Sequence, residues 1–174
     1  MLTGGIYRTP QVFPYDRERA VQYAHAWAYK RNPAYLDFHN LGGDCTNFAS
    51  QCIYAGSNTM NYTPVHGWYY ASSSNRTPSW TGVNFLHKFL VNNKGVGPFA
   101  ENVDVGDVRV GDLVQLSFDG GNDFAHSPVV VETGTVPSID NILVATHTYD
   151  RDYYALTNYN WVHIRFIHIV GVRR

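Results

Sequence analysis

Residues 42–52 of the chain read GGDCTNFASQC and contain both of its cysteines. The residues that follow Asp44 include no proline or glycine until Gly56, which predicts a short helix closed by that glycine. Cys45 and Cys52 are seven positions apart, and seven helical residues rise about 10 Å, well beyond the Cα separation of roughly 4.4–6.8 Å that a disulfide requires. We therefore predict that both cysteines are free thiols.

The charge balance and the hydropathy of the chain argue against several classes of partner. The chain has 13 Lys and Arg against 14 Asp and Glu and no run of like charge, so we expect no nucleic acid partner. No apolar run reaches the roughly 18 residues that a membrane span needs, so we expect no membrane span. The first ten residues, MLTGGIYRTP, lack the basic start and the apolar centre of a signal peptide.

Length and motifs indicate one domain without a bound cofactor. A chain of 174 residues is long enough to bury a core without metals or crosslinks, and no linker divides residues 1–174. The sequence has no phosphate loop, no dinucleotide fingerprint and no C-x-x-C pair, so it predicts neither a cofactor nor a structural zinc site.

Three helices are predicted in the first part of the chain. The first is DRERAVQYAHAWAYK at residues 16–30, which Asp16 can cap and the Asn32-Pro33 pair ends. The second is the cysteine helix, and the third is VNFLHKFLVNN from Val83. The apolar positions of the third helix recur at helical spacing, which predicts that one face is buried, with Phe85, Leu86, Phe89 and Leu90 on it.

After Gly111 the apolar residues alternate, which is typical of strands. GDLVQLSF at 111–118 and FAHSPVVVET at 124–133 are joined by the turn DGGND and predict a hairpin. NILVATHTY at 141–149 and WVHIRFIHIV at 161–170 predict two more strands, the last with Val162, Ile164, Phe166 and Val170 on one face. Short loops between strands favour an antiparallel sheet.

The order of elements predicts an α+β fold. A helical part at about 1–95 precedes a sheet part at about 105–174, so the N-terminal helices are expected to pack on a C-terminal antiparallel sheet or half-barrel. The cysteine helix is expected to lie against this sheet.

Cys45 is the candidate nucleophile. It falls in the first turn of its helix, where unpaired backbone N–H groups and the helix dipole favour a thiolate. Asp44 is the expected N-cap, and Gly42 and Gly43 allow a substrate to approach the sulfur. The alternative is that Cys45, like Cys52, is a small apolar residue on a buried face.

Two of the eight histidines are expected to meet near this thiol. His126 begins an apolar strand, and His147 ends the neighbouring one, so antiparallel pairing would bring them together. His126 would serve as the general base and His147 would orient it, with Asp150 as the rival orienting group. His25, His87, His163 and His168 are interpreted as structural.

Much of the chain resembles the putative amidase domain of bacterial, often cell-surface, proteins, a domain similar to papain-like and CHAP-type cysteine hydrolases. The resemblance is carried by these stretches: residues 15–52, GWYY, SWTGVNFLHKFL, GDLVQLSF, AHSPVVV and THTYD. It implies a papain-like core in which Cys45 is the nucleophile, His126 the general base and His147 the position of the third member. Pro128 departs from this pattern and predicts a bulge or an edge beside the base.

The resemblance implies a cysteine-dependent hydrolase that cleaves an amide or peptide bond through a thioester. The expected substrate is a cell-wall peptide, peptidoglycan or a small amide, and the expected location is extracellular or at the cell surface. Three alternatives remain open: acyl transfer by the same site, a non-catalytic cell-wall or surface-binding module, and a metal site built from Cys45, His126 and His147.

Overall fold

The computed structural model describes residues 9–174. Residues 1–8, which include most of the stretch tested above for a signal peptide, lie outside the described range. The described chain has an α+β architecture in which four α-helices pack on an antiparallel sheet that curls into a half-barrel. None of its helices between residues 9 and 174 is long and apolar enough to cross a membrane.

The three predicted helices form, together with a short fourth one. Their bounds are α1 Arg17–Trp27, α2 Cys45–Ser57, α3 Pro78–Thr81 and α4 Val83–Asn92. Asp16 caps α1 as predicted, since its carboxylate accepts a hydrogen bond from the backbone N–H of Arg19 at 2.9 Å. The prediction for Phe85 is wrong: the buried face of α4 consists of Leu86, Phe89 and Leu90, and Phe85 points to solvent.

The strands form one large antiparallel sheet and one small hairpin. Their bounds are β1 Val12–Phe13, β2 Tyr70–Ser72, β3 Asn75–Arg76, β4 Gly97–Val103, β5 Leu113–Ser117, β6 Val129–Glu132, β7 Leu143–Thr146, β8 Arg151–Ala155 and β9 His163–Arg173. The large sheet has the order β1-β9-β5-β6-β7-β8, and β4 also pairs with β9. The hairpin of β2 and β3 stands apart from it.

The predicted division into a helical and a sheet part is only approximate. The sheet recruits β1 from before the first helix and β4 from residue 97 onward, and β4 pairs with most of β9. A register shift in this pairing leaves Val170 between the partners of Phe99 and Ala100, with no partner of its own. Val170 is therefore 44% exposed, whereas Phe166, which was predicted to share its face, is buried.

Both faces of the sheet are covered by apolar side chains. One cluster contains Ile167 and Ile169 of β9 and joins the sheet to α1, α2 and α4. The other contains Phe166 of β9 and lies on the opposite face, with Leu156 and Ile142 closing it. Because neighbouring residues of a strand point to opposite faces, the central strands read as nearly continuous apolar runs.

Gly56 lets the beginning of α1 lie directly against the end of α2. The backbone N–H of Asp16 donates to the carbonyl of Gly56 at 3.0 Å, and a Cβ on Gly56 would lie 2.7 Å from the carbonyl oxygen of Asp16. The helix runs on to Ser57 and ends at Asn58, whose φ of 48° is left-handed. Gly56 is thus required by close packing. The prediction that it closes the helix is wrong, since Asn58 does so.

We expect Gly56→Ala to lower the free energy of unfolding by about 1–3 kcal/mol, because the added methyl group overpacks the contact between α1 and α2. Urea denaturation followed by circular dichroism measures the change. Gly106→Ala is the matched control, since a Cβ at Gly106 meets nothing within 4 Å. Equal effects of the two substitutions would contradict the packing role of Gly56.

Candidate active site

Cys45 is the first residue of α2 and lies at the seam between the helices and the sheet. Gly42 and Gly43 lead into it with φ values of +105° and +106°, a conformation that side chains rarely adopt. Both cysteines are free thiols, as predicted. Cys45 keeps 6% of its surface exposed and Cys52 none, so only Cys45 has any access to solvent.

Asp44 occupies the N-cap position of α2, but its side chain does not cap the helix. The carboxylate instead accepts hydrogen bonds from the backbone N–H of Phe38 and the side-chain amide of Asn47, both at 2.8 Å. Its second oxygen lies 2.5 Å from Nδ1 of His147. The predicted capping bond is therefore replaced by contacts that join α2 to the preceding loop and to the end of β7.

His147 contacts Asp44 and does not orient His126. Its Nδ1 faces the Asp44 carboxylate, its Nε2 lies 2.9 Å from the backbone carbonyl of Trp27, and its ring stacks on Phe48 with 4.1 Å between ring centroids. Both nitrogens face acceptors, so only the doubly protonated ring donates to both. The prediction that His147 orients His126 is wrong, because neither ring nitrogen of His147 is free to meet it.

The rival orienting group is also engaged elsewhere. Both carboxylate oxygens of Asp150 accept hydrogen bonds from the guanidinium of Arg31, at 2.9 and 3.0 Å. Arg31 contacts Asp37 as well, which ties the loop before α2 to the turn after β7. Asp150 therefore belongs to an ion-pair network at the rim of the seam.

His126 lies in an irregular segment that precedes β6. The predicted strand at 124–133 begins only at Val129, and before it the carbonyls of His126 and Pro128 accept hydrogen bonds from Leu116 and Val114 of β5. Pro128 has no N–H to contribute to the ladder, which explains the irregular pairing. The segment places the His126 ring at the end of β5, where it packs against Tyr159, a residue that borders the second apolar cluster.

The His126 ring is almost buried and has no hydrogen-bond partner within residues 9–174. Its ring centroid lies 5.5 Å from that of Tyr159 and 6.5 Å from that of Phe118. Burial without a charged partner lowers the pKa of His126 from 6.5 to about 4. The ring is consequently neutral at pH 7 and able to accept a proton.

The thiol of Cys45 lies next to the segment that carries His126. Sγ lies 3.8 Å from the hydroxyl oxygen of Thr46, and the backbone N–H groups of Ser127 and Thr46 act to lower the pKa of the thiol. Burial nevertheless raises the pKa of the Cys45 thiol above its usual value, and these donors oppose that shift only in part. The expectation of a resting thiolate is therefore wrong, because burial holds both the Cys45 thiol and the His126 imidazole neutral.

A pocket of about 380 Å³ opens beside His126. Its walls are mostly aromatic and carry one formal charge, and its lining residues are Phe118, Ala125, His126, Thr148, Tyr149, Arg151, Tyr154 and Tyr159. Cys45 is not among them: burial is the main cause of the raised pKa of Tyr159, and the Cys45 thiol contributes least. The pocket thus opens on the imidazole, with Tyr159 in its wall.

Tyr159 and Arg151 were missed by sequence reasoning. Tyr159 follows a short 3-10 turn at Leu156–Asn158 and carries no motif, and Arg151 begins β8, a strand that was not predicted.

Within residues 9–174, no three His, Cys, Asp or Glu side chains cluster as metal ligands. Trp68 and Trp80 are fully buried and pack together in the core, where they line no groove.

Comparison with known proteins agrees with the resemblance seen in the sequence. A family model described as "Putative amidase domain" matches residues 14–170. The chain is also 36% identical over 144 residues to "Uncharacterized protein YhbB" of Bacillus subtilis (strain 168), an alignment that covers 80% of this chain and 43% of that protein. The chain therefore spans less than half the length of this relative, and no solved structure matches it.

We expect Asp44→Ala to lower the free energy of unfolding by about 3–5 kcal/mol, because it leaves the Phe38 N–H, the Asn47 amide and Nδ1 of His147 without their buried hydrogen-bond partner. Urea denaturation at pH 7 measures this loss. Asp150→Ala is the matched control, since Asp150 is partly exposed and its ion pair with Arg31 contributes about 1 kcal/mol or less. Similar losses for both variants would contradict the anchoring role of the buried Asp44 carboxylate.

The depressed pKa of His126 predicts a pH-dependent contribution to stability. An unfolded histidine binds its proton near pH 6.5, whereas His126 does so at about 4, so the unfolded chain holds more protons between these values. The contribution is complete above pH 6.5 and is lost as the pH falls toward 4, by up to about 3 kcal/mol.

The measurement is the difference in unfolding free energy between the wild type and His126→Gln, followed from pH 7 to pH 4. We expect this difference to shift against the wild type as the pH falls, since glutamine does not titrate. A difference that stays constant over this range would show that His126 is not held neutral by burial.

Proposed function

The chain belongs to the putative amidase domain family, and we propose that it is a cysteine hydrolase in which Cys45 attacks an amide and His126 is the general base. One observation carries the proposal. Cys45 lies at the N-terminus of α2, and the backbone of Ser127 acts to lower the pKa of its thiol. The residue before Ser127 is His126, a neutral histidine whose ring has no hydrogen bond within residues 9–174 and lines a pocket. A papain-like mechanism needs this combination of thiol, neutral base and open space.

In the first half of the proposed reaction, the amide is exchanged for a thioester. His126 removes the proton of the Cys45 thiol as Sγ forms a bond to the carbonyl carbon, and the π electron pair moves onto the carbonyl oxygen. The intermediate collapses, the C–N bond breaks, and the protonated His126 gives its proton to the leaving amine. The products of this half are a free amine and the acyl thioester of Cys45.

In the second half, water releases the acyl group. His126 removes a proton from the attacking water, a C–O bond forms, and the C–S bond breaks with return of the proton to the sulfur. An amine in place of water would give acyl transfer with the same residues.

A neutral resting pair fits this sequence of steps. Burial raises the pKa of Cys45 and lowers that of His126, so the proton stays on sulfur until a carbonyl is present. The positive end of the α2 dipole and the N–H groups of Ser127 and Thr46 favour the negative charge that develops as the thiol is deprotonated. Attack and proton transfer are therefore expected to occur together.

The role of His147 differs from the one suggested by the resemblance. We assign it as a positioning residue that, through Asp44, holds the first turn of α2 against the sheet. His126 is held by the aromatic rings of Phe118 and Tyr159 instead of by a third polar side chain. The proposed site is consequently a dyad on a rigid support.

The pocket supports a peptide-like acyl group as the substrate. Its aromatic walls suit an apolar segment, and Arg151 offers a positive charge, because the neighbouring Asp150 and Asp152 are paired with Arg31 and His25. We propose cell-wall peptides, including those of peptidoglycan, as the first substrates to test and the cell surface as the setting. An acyl group with a free carboxylate near the scissile bond would engage Arg151.

The test is incubation with purified peptidoglycan and with paired short amides whose acyl groups differ only in a free carboxylate. We expect Cys45→Ala to reduce the release of amines by about a thousandfold or more, because the covalent step is lost. Cys52→Ala is the matched control and should retain activity, since Cys52 is buried two turns further along α2.

Turnover that survives Cys45→Ala would remove Cys45 from the mechanism and the proposal with it. Binding of peptidoglycan by the wild type without any cleavage would favour the surface-binding module. Release of the acyl group onto an added amine, in preference to water, would identify an acyltransferase.

A further inference from the structure

The hydroxyl of Tyr159 is buried and has no hydrogen-bond partner among residues 9–174. Buried polar groups in folded proteins are nearly always paired, and leaving one unpaired costs free energy. The other unpaired buried side-chain atoms in the described chain are nitrogens of Arg31 and Arg76. The Arg31 nitrogen lies 3.2 Å from a carboxylate oxygen of Asp37, whereas Tyr159 has no such compensation.

Tyr159 is the residue that connects the pocket and the base. Its ring lies 5.5 Å from His126, packs edge-on against Tyr154 at 5.2 Å, and lines the pocket. Its phenol is not hydrogen-bonded to the Cys45 thiol. A substrate that enters this pocket toward His126 therefore passes Tyr159.

The hydroxyl is also in the right chemical state to donate. Burial raises the pKa of Tyr159 well above its usual value, so the phenol keeps its proton throughout the neutral range. The N–H of Cys45, in the first turn of α2, has no intrahelical partner by virtue of its position. The Tyr159 hydroxyl and the Cys45 N–H are therefore two neutral donors without a partner of their own among the described residues, of the kind that stabilises a carbonyl oxygen as it gains negative charge.

We propose that the Tyr159 hydroxyl is a catalytic hydrogen-bond donor that stabilises the oxyanion formed when Cys45 attacks the substrate carbonyl. This inference rests on the proposed function, since it requires acylation of Cys45. In the attack, the electron pair of the C=O π bond moves to oxygen, which accepts the hydrogen bond from Tyr159, and no proton leaves the tyrosine. Its hydroxyl is unpaired in the free protein because its partner is the reacting substrate.

This role makes stability and activity respond in opposite directions to one substitution. Tyr159→Phe keeps the ring and its packing but removes an unpaired polar group, so the melting temperature should stay the same or rise. If the hydroxyl instead served the fold through a structural bond, its loss would lower the melting temperature. The acylation rate should fall, because the oxyanion has lost a hydrogen-bond donor.

The experiment compares two reactions of Cys45. Acylation by p-nitrophenyl acetate, followed by release of p-nitrophenolate and by mass spectrometry of the acetylated cysteine, passes through an oxyanion. Alkylation by iodoacetamide displaces iodide and forms none. We expect Tyr159→Phe to slow acetylation about tenfold or more while leaving alkylation unchanged.

Tyr35→Phe is the matched control, because it removes a phenol hydroxyl from a ring that stacks on Trp80 and is not part of the pocket wall. It should acetylate at close to the wild-type rate. Three results for Tyr159→Phe would overturn the inference alone: wild-type acetylation, equal slowing of acetylation and alkylation, or a lowered melting temperature. Acetylation that is unaffected by Cys45→Ala would overturn the proposed function, and this inference with it.

Discussion

The buried pair of Asp44 and His147 is the contact on which the candidate site depends. Its carboxylate and imidazole lie 2.5 Å apart with almost no exposure to solvent, and they join the start of α2 to the end of β7. The same carboxylate holds the backbone of Phe38 and the amide of Asn47, so one charged group fixes the loop, the helix and the sheet together. Cys45 is the next residue, and its place in the seam follows from this anchoring.

Burial then determines the chemistry that the seam can support. A low-dielectric site disfavours both a thiolate and an imidazolium, and it raises the pKa of Cys45 while lowering that of His126. The same surroundings strengthen any hydrogen bond to a charge that appears only during reaction. The buried hydroxyl of Tyr159 has no partner in the described chain and therefore costs stability in the free protein. Such a group fits a site whose thiol and imidazole are neutral at rest and whose donors act only when a carbonyl oxygen gains charge.

Local patterns were enough to predict the helices, the free thiols and the antiparallel sheet. The capping role of Asp16, the start of α4 at Val83 and the strand at Leu113–Ser117 depend mainly on neighbours in the chain. The face of β9 was less predictable. Val170 is left without a partner by the register shift in the pairing of β9 with β4. The strand β4 lies 70 residues away in sequence and showed no alternation of apolar residues. Long-range pairing leaves little trace in a local pattern.

The sequence by itself determined the α+β plan, and it is also the source of the proposal for Cys45 and His126, because a glycine-flanked helix start and a strand-opening histidine are local features. Only the tertiary structure decided what surrounds them. It directed Asp44 and Asp150 away from their expected roles, paired His147 with Asp44 and brought Tyr159 to the ring of His126. The physical reason is that hydrogen-bond partners and burial, which set the charge of a buried group, come from residues far apart along the chain.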